Sequence, residues 1–189
     1  MSKFLLLLLP LYVFAWELHK EVDGILIFKE HDAKFEFAQY KAEMTMPYTL
    51  KEVSTAIMNH HSYTSWLSDC IKADKEDSFV YILMNPPWPL NYRQVWAKIE
   101  KKLYRHKEII TLNSIDKKSS KHSAVWFNYL HAEFVLIDHN RTSTKVKLSL
   151  LGDPNGYLPT WLVNFMAWKI PYQSLYDLNQ YLKSPKPLK

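Results

Sequence analysis

The sequence predicts an α+β protein: a curved antiparallel sheet with one face covered by a long C-terminal helix. Three observations carry that prediction. From residue 71 to residue 151 the chain reads as strand after strand, separated by short polar connections. From Leu158 onward the apolar residues recur at i, i+3 and i+4. Between the two, Gly152-Asp153-Pro154-Asn155-Gly156 makes an elaborate turn that holds two of the three glycines in 189 residues.

The elements follow in chain order. Residues 1–15, MSKFLLLLLPLYVFA, set one lysine before a mostly apolar run and end on Val13-Phe14-Ala15, the plan of a secretory signal peptide. The run falls short of the roughly 20 apolar residues that a spanning helix needs. Cleavage after Ala15 leaves residues 16–189 as one domain with a periplasmic or secreted address. Residues 16–22 are expected to form a short first helix, Asp23-Gly24 a turn, and 25–28 an apolar strand. Between 35 and 46 the chain alternates, with Ala38, Tyr40, Ala42, Met44 and Met46 on one face, so this strand should pair with the preceding one. Thr49 and Glu52, three residues apart, make a capping box for a helix that carries Leu50, Val53, Ile57 and Met58 and ends near His60.

Segments 71–75, 78–84, 92–103, 107–115, 123–128, 130–138 and 143–151 read as one antiparallel meander. In the clearest, Arg93, Val95, Ala97, Ile99 and Leu103 share a face that Lys101 interrupts. Gln94, Lys98, Glu100 and Lys102 share the other, so one side is covered and the other wet. The final stripe runs through Leu158, Leu162, Phe165, Trp168 or Lys169, Tyr172, Leu175, Leu178 and Leu182, with a kink expected at Pro171.

Composition narrows the chemistry. Seven tryptophans, twelve tyrosines and nine phenylalanines in a chain that is 48% hydrophobic let such a sheet surround a large apolar volume, and whether that volume is packed or hollow decides the function. Cys70 is the only cysteine, so no intramolecular disulfide can form. The net charge of +5 gathers at 98–107, 116–122 and 183–189, which reads as solvated strand edges and loop tips. A secreted address argues against nucleic acid as a partner, and a monomer is expected. The eight histidines form no His-Glu-x-x-His, and His60 and His61 are adjacent. His131-Ala132-Glu133 imitates a deaminase zinc motif without its cysteine pair. No Gly-x-Ser-x-Gly elbow occurs. No catalytic residue, metal or cofactor is expected.

Three stretches carry a resemblance. GDPNGYLPTWLVNFMAWKIPYQSLYDL (152–178), PPWPLNYRQ (86–94) and WELHKEVDGILIFKE (16–30), the last followed by YTSWLSDC at 63–70, resemble in order and spacing the START domains. These are lipid-transfer modules related to the steroidogenic acute regulatory protein. The chain is similar to a secreted, bacterial-type, single-domain member across nearly all of 16–189. The resemblance implies the helix-grip fold, in which the C-terminal helix closes an apolar tunnel over the concave sheet. The turn at 152–156 then reverses the chain so that the helix can lie across the sheet. Asn155 stands where the family often has glycine, and asparagine tolerates positive φ. Gln94 stands where the family has an aspartate, which removes a charge partner for Arg93. Ile99 stands where some members place a second arginine.

The resemblance implies a tunnel lined by Arg93, Val95, Ala97, Ile99, Phe134, Leu136, Val146 and Leu148 from the strands. From the helix it implies Trp161, Leu162, Phe165, Trp168 and Tyr172. It implies a protein that binds and carries a lipid or sterol-like hydrophobic ligand, with transient contact to a membrane surface. The alternative is a helix-grip enzyme of cyclase or hydrolase type, which would need Arg93, Glu43, Asn164 and a tyrosine to converge in one cavity.

Overall fold

The computed structural model describes residues 16–30, 36–119 and 122–184; the expected signal peptide lies outside them. Among the described residues ten strands join in one sheet. In chain order they are β1 (Glu17–Val22), β2 (Ile25–Glu30), β3 (Gln39–Met46), β4 (Cys70–Glu76), β5 (Phe79–Met84), β6 (Arg93–Tyr104), β7 (Lys107–Ser114), β8 (Val125–Trp126), β9 (Tyr129–Asp138) and β10 (Thr144–Asp153). The sheet runs β1-β2-β3-β10-β9-β7-β6-β5-β4, with β8 beside β6. The meander from β4 to β10 is antiparallel, and β3 pairs with β10 to attach the N-terminal strands to its far side.

The helices are α1 (Leu50–Met58), a 3-10 turn at His60–Ser62, α2 (Tyr63–Trp66), α3 (Thr160–Ala167) and α4 (Lys169–Lys183). The capping box forms: the Thr49 hydroxyl accepts the Glu52 N–H, and the Glu52 carboxylate accepts the Thr49 N–H at 2.8 Å. The apolar face of α1, with Val53 and Ile57, then seats on the inner face of the sheet beside α4. Leu175, Leu178 and Leu182 of α4 join the same core, so the helix lies across the sheet as expected. No described helix is long and apolar enough to cross a membrane.

Three local expectations need correction. Residues 16–22 are a strand, because Asp23 (φ 51°) and Gly24 (φ 72°) both take the left-handed region that a two-residue hairpin turn demands. The turn imposes pairing on a segment whose polar edge position gave it no apolar signal. Segment 123–128 contributes only Val125–Trp126, and it pairs parallel to β6. The helical break falls at Trp168, ahead of Pro171: a proline in the first turn of α4 has no N–H to donate to Ala167, so the helix stops and restarts there.

Strand parity follows the alternation. Val146 faces Leu136 and Leu148 faces Phe134 in an unbroken β9–β10 register, and all four are buried in the inner core. On the outer face Tyr81, Leu83 and Trp96 form a smaller cluster with Trp126.

Candidate ligand-binding cavity

A cavity of about 120 Å3 lies between the inner face of the sheet and the α3–α4 helices. It occupies one end of that face. Ile82 and Met84 of β5, Phe134 of β9, and Leu148 and Leu150 of β10 line it from the sheet. Gly152 lines it where the chain leaves β10, and a Cβ there would stand 3.1 Å from the Leu130 side chain. Val163, Met166, Ala167, Ile170 and Ser174 line it from the helices.

Arg93 holds the mouth. The residue is 4% exposed, and its guanidinium forks onto backbone oxygens: Nε donates to Pro154 at 2.7 Å, Nη1 to Asn91 at 2.8 Å and Nη2 to Asn155 at 3.3 Å. Burial holds its pKa below the ordinary value. No ion pair to Arg93 forms among the described residues; residue 94 points to the opposite face of β6, so an aspartate there would not be its partner, and the carbonyls of the 154–155 turn and Asn91 satisfy the guanidinium instead. That turn is itself tight: Asn155 takes φ 61°, and the Asp153 carboxylate accepts the Asn155 N–H at 2.8 Å. Gln94 has a task on the opposite face. It accepts the Tyr81 hydroxyl proton at 2.8 Å and donates to the Ala124 carbonyl at 2.6 Å, tying down the segment before β8. An aspartate could accept there and could not donate.

The residues expected in the tunnel divide into three groups. Arg93, Phe134 and Leu148 line the cavity. Val95, Ala97, Ile99, Leu136 and Val146 sit on the same face of the sheet, yet they are packed in the core and do not line it. Alternation assigns a face and is silent about position along the strand, and α1 with the C-terminal half of α4 fills that part of the groove.

The helix residues are rotated out. Trp161 and Phe165 are 70% and 65% exposed, and Leu162, Trp168 and Tyr172 are partly buried outside the cavity lining. Trp168 packs toward β1, its ring 6.2 Å from His19 and under the Lys20 ammonium at 4.2 Å. Tyr172 donates to the Asp23 carboxylate at 2.5 Å. An α-helix turns about 100° per residue, so each three-residue step shifts the stripe about 60° around it. Leu175, Leu178 and Leu182 stay on the buried face, but the two successive steps from Leu178 through Leu175 to Tyr172 carry the stripe about 120° away, and its continuation to Trp168, Phe165 and Leu162 never returns to the cavity. Weighting bulky residues compounded the error, because the lining positions at 167 and 174 carry small side chains.

The polar set of the enzyme alternative does not converge. Glu43 lies on the outer face under Lys41, Lys145 and Lys147 at 3.1, 2.9 and 3.3 Å. Desolvation would raise its pKa, but the hydrogen bonds from Lys145 and Lys41 and the charge of Lys147 bring it below the ordinary value. Asn164 fastens α3 to the start of β3: its side-chain oxygen accepts the Ala38 N–H at 2.9 Å and its carbonyl the Tyr40 hydroxyl at 2.8 Å. His131 meets Asn113 at 2.6 Å across the strands. Among the described residues no group of three His, Cys, Asp or Glu side chains could hold a metal ion. Cys70 is buried, and burial pushes its thiol up to about 11. On the helices the sequence reading missed Val163, Met166, Ala167, Ile170 and Ser174 as lining residues, and on the turn before β4 it missed Asp69. A continuous 3.6-residue count back from Leu178 through Ser174 would have found most of them.

No protein-family model matches the sequence, and neither does any curated protein. Solved structures do. A STAR-related lipid transfer protein from Xanthomonas axonopodis superposes with a TM-score of 0.81 at 16% identity, covering 89% of this chain and 99% of that one. Human StAR-related lipid transfer protein 5 gives 0.79 at 16% identity over 89% and 86% of the two chains. The Zhui aromatase/cyclase from Streptomyces sp. R1128 gives 0.54 at 9% identity over 77% and 93%. The chain has the START helix-grip fold.

Proposed function

We propose that this protein binds one hydrophobic molecule, a lipid or sterol-like compound, in the cavity beneath α3 and carries it between membranes. The observation that carries the reading is a cavity lined almost wholly by apolar surface at the point where the closing helix is broken. Each methylene moved into such a space contributes about 0.8 kcal/mol, so affinity needs no specific polar contact. At about 120 Å3 the resting cavity is close to the ~150 Å3 void that admits benzene in an engineered protein core, room for one ring. A larger ligand therefore requires α3 to move. The hinges for that movement are the positive-φ pair Asn155-Gly156 and the break at Trp168. The latch is a short set of bonds, Asn164 to Ala38 and Tyr40 and Thr160 to Glu36 at 2.7 Å.

The outer side of α3 supports membrane contact. Tyr157, Trp161 and Phe165 are exposed at i, i+4 spacing, and Trp88 of the loop before β6 is exposed as well. Aromatic side chains of this kind favour the headgroup layer of a bilayer. The expected signal peptide puts this carriage in a periplasmic or secreted setting. The cyclase reading has less behind it, since Glu43 and Asn164 point to other tasks.

Native mass spectrometry and solvent extraction of the purified 16–189 protein test the reading. The expected result is a co-purifying or exchangeable apolar molecule, together with protein-dependent transfer of a fluorescent sterol between vesicles. Protein that neither retains nor takes up an apolar compound of any lipid class would overturn it.

A further inference from the structure

We propose that Asp69 is the polar recognition point of the cavity, and that the ligand is a hydrophobic molecule whose single hydroxyl or N–H is directed at that carboxylate. The proposal rests on the cavity reading above and adds the chemistry of one end of the ligand.

The cavity wall includes four residues with strongly polar side chains: Tyr63, Asp69, Arg93 and Ser174. The donors of two are committed elsewhere: the Tyr63 hydroxyl donates to the Ile57 carbonyl at 2.9 Å, and Arg93 is forked onto the 154–155 turn and Asn91. The Ser174 hydroxyl accepts the Ser68 N–H at 3.1 Å, which leaves it as a neutral partner beside the anion of the wall. Asp69 has one side-chain partner, Ser68. An ionised carboxylate offers about four lone-pair sites, so acceptor capacity remains.

Its backbone is held from three sides. The Asn85 N–H donates to the Asp69 carbonyl at 2.8 Å, the Cys70 N–H donates to Leu67 at 3.0 Å, and the neighbouring Ser68 is pinned to α4 by Ser174. A carboxylate on a fixed turn binds a donor with little ordering cost. Burial raises the Asp69 pKa, the mark of a carboxylate short of water that gains from a new donor. Charge selects the ligand class. A carboxylate or phosphate headgroup would meet Asp69 with like charge, and the cation of the wall, Arg93, already spends its donors on backbone. A neutral alcohol or amide on an apolar body fits both constraints.

Two isosteric probes, 2-naphthol and 2-methylnaphthalene, each one ring larger than the resting cavity and so admitted by the movement of α3 proposed above, separate the donor from the apolar body. Both are titrated against wild type, Asp69→Gly and Asp69→Asn. Glycine adopts the φ of 59° at this position without strain, and asparagine keeps the shape while losing the charge. The expected result is that Asp69→Gly weakens 2-naphthol by about tenfold and leaves 2-methylnaphthalene within about twofold, with Asp69→Asn in between. Retained binding of the methyl probe also reports an intact fold. If Asp69→Gly loses both probes, Asp69→Asn decides: selective weakening of 2-naphthol upholds the proposal, and its absence ends it. An unchanged ratio of the two probes in all three proteins overturns the role of Asp69 and leaves the carrier reading standing. Failure of both probes to bind wild type overturns the role of Asp69, and the carrier reading falls with it only if extraction also finds no apolar molecule.

Discussion

The inner face of the sheet is built from one alternation and ends in two ways. Towards α1, Ile99, Ile110, Leu136 and Val146 share one core with Val53 and Ile57 outside the cavity lining, and each is at most 7% exposed. Beneath α3, the wall includes Ala132, Ala167, Gly152 and Ser174, and about 120 Å3 stays open. The two ends differ in side-chain volume and in how the covering helix is held. The capped α1 seats two large aliphatics in the sheet, whereas α3 buries Val163 and leans on hydrogen bonds at its rim. One half of the groove is therefore packed core, and the other keeps a cavity where packing would have added stability.

Truncation at the packed end should produce the largest effect. Leu136 is fully buried opposite Val146, so Leu136→Ala should cost about 3 kcal/mol of unfolding free energy by urea titration. Binding of 2-methylnaphthalene should stay within about twofold. A cost below about 1 kcal/mol with altered probe binding would mean that the open space extends beneath α1 and that the comparison is drawn in the wrong place.

Arg93 tests the boundary between the halves. Arg93→Lys keeps a charge but cannot fork onto the Pro154, Asn155 and Asn91 carbonyls, and should cost about 2 kcal/mol. Amide exchange in the 152–158 turn should accelerate along with ligand release. If exchange there is unchanged, the turn is held by Asp153 and its own backbone, and the hinge has another origin.

Most of the fold was legible, because it rests on strong local signals: the Thr49 capping box, the 92–103 strand and the Gly152–Gly156 turn all became the elements expected of them. The face of that strand read as wet is nevertheless buried at Gln94 and Trp96, at the outer aromatic cluster, and Leu103 on the covered face is exposed. Segment 16–22 was not, since an edge strand with five exposed residues carries no buried face to betray it, and only its two-residue turn spoke for pairing. The site was half legible for a related reason. Period 2 identified the inner face of every strand chosen, but a cavity is a local shortage of volume, and shortage depends on which helix lies above. On α3 the search for large apolar side chains selected the residues least able to line a void.

Trp168 sharpens that lesson. It was expected inside the tunnel and instead spans the gap to β1 against His19, Lys20 and Tyr172. Trp168→Ala should cost about 1–2 kcal/mol, less than the 3–5 kcal/mol of a buried tryptophan, because the ring is only partly covered. Probe affinity should not change. A clear loss of affinity would return this face of the helix to the cavity.

The smallest thermodynamic effect belongs to Trp161 and Phe165. Both are mostly exposed on α3, so changing both to serine should alter unfolding free energy by no more than about 0.5 kcal/mol per site and leave the affinity for 2-methylnaphthalene unchanged. Their cost is expected in another measurement. If the outer side of α3 meets the bilayer while its inner side covers the ligand, losing two interfacial aromatics should slow fluorescent-sterol transfer between vesicles several-fold without touching the bound state. The separation matters because the same helix carries both faces: Val163 and Met166 look inward, two residues and one residue respectively from side chains that look out. Equal transfer rates for the double variant and wild type would leave α3 as a cover for the cavity with no part in membrane contact, and Trp88 of the loop before β6 would become the next residue to test.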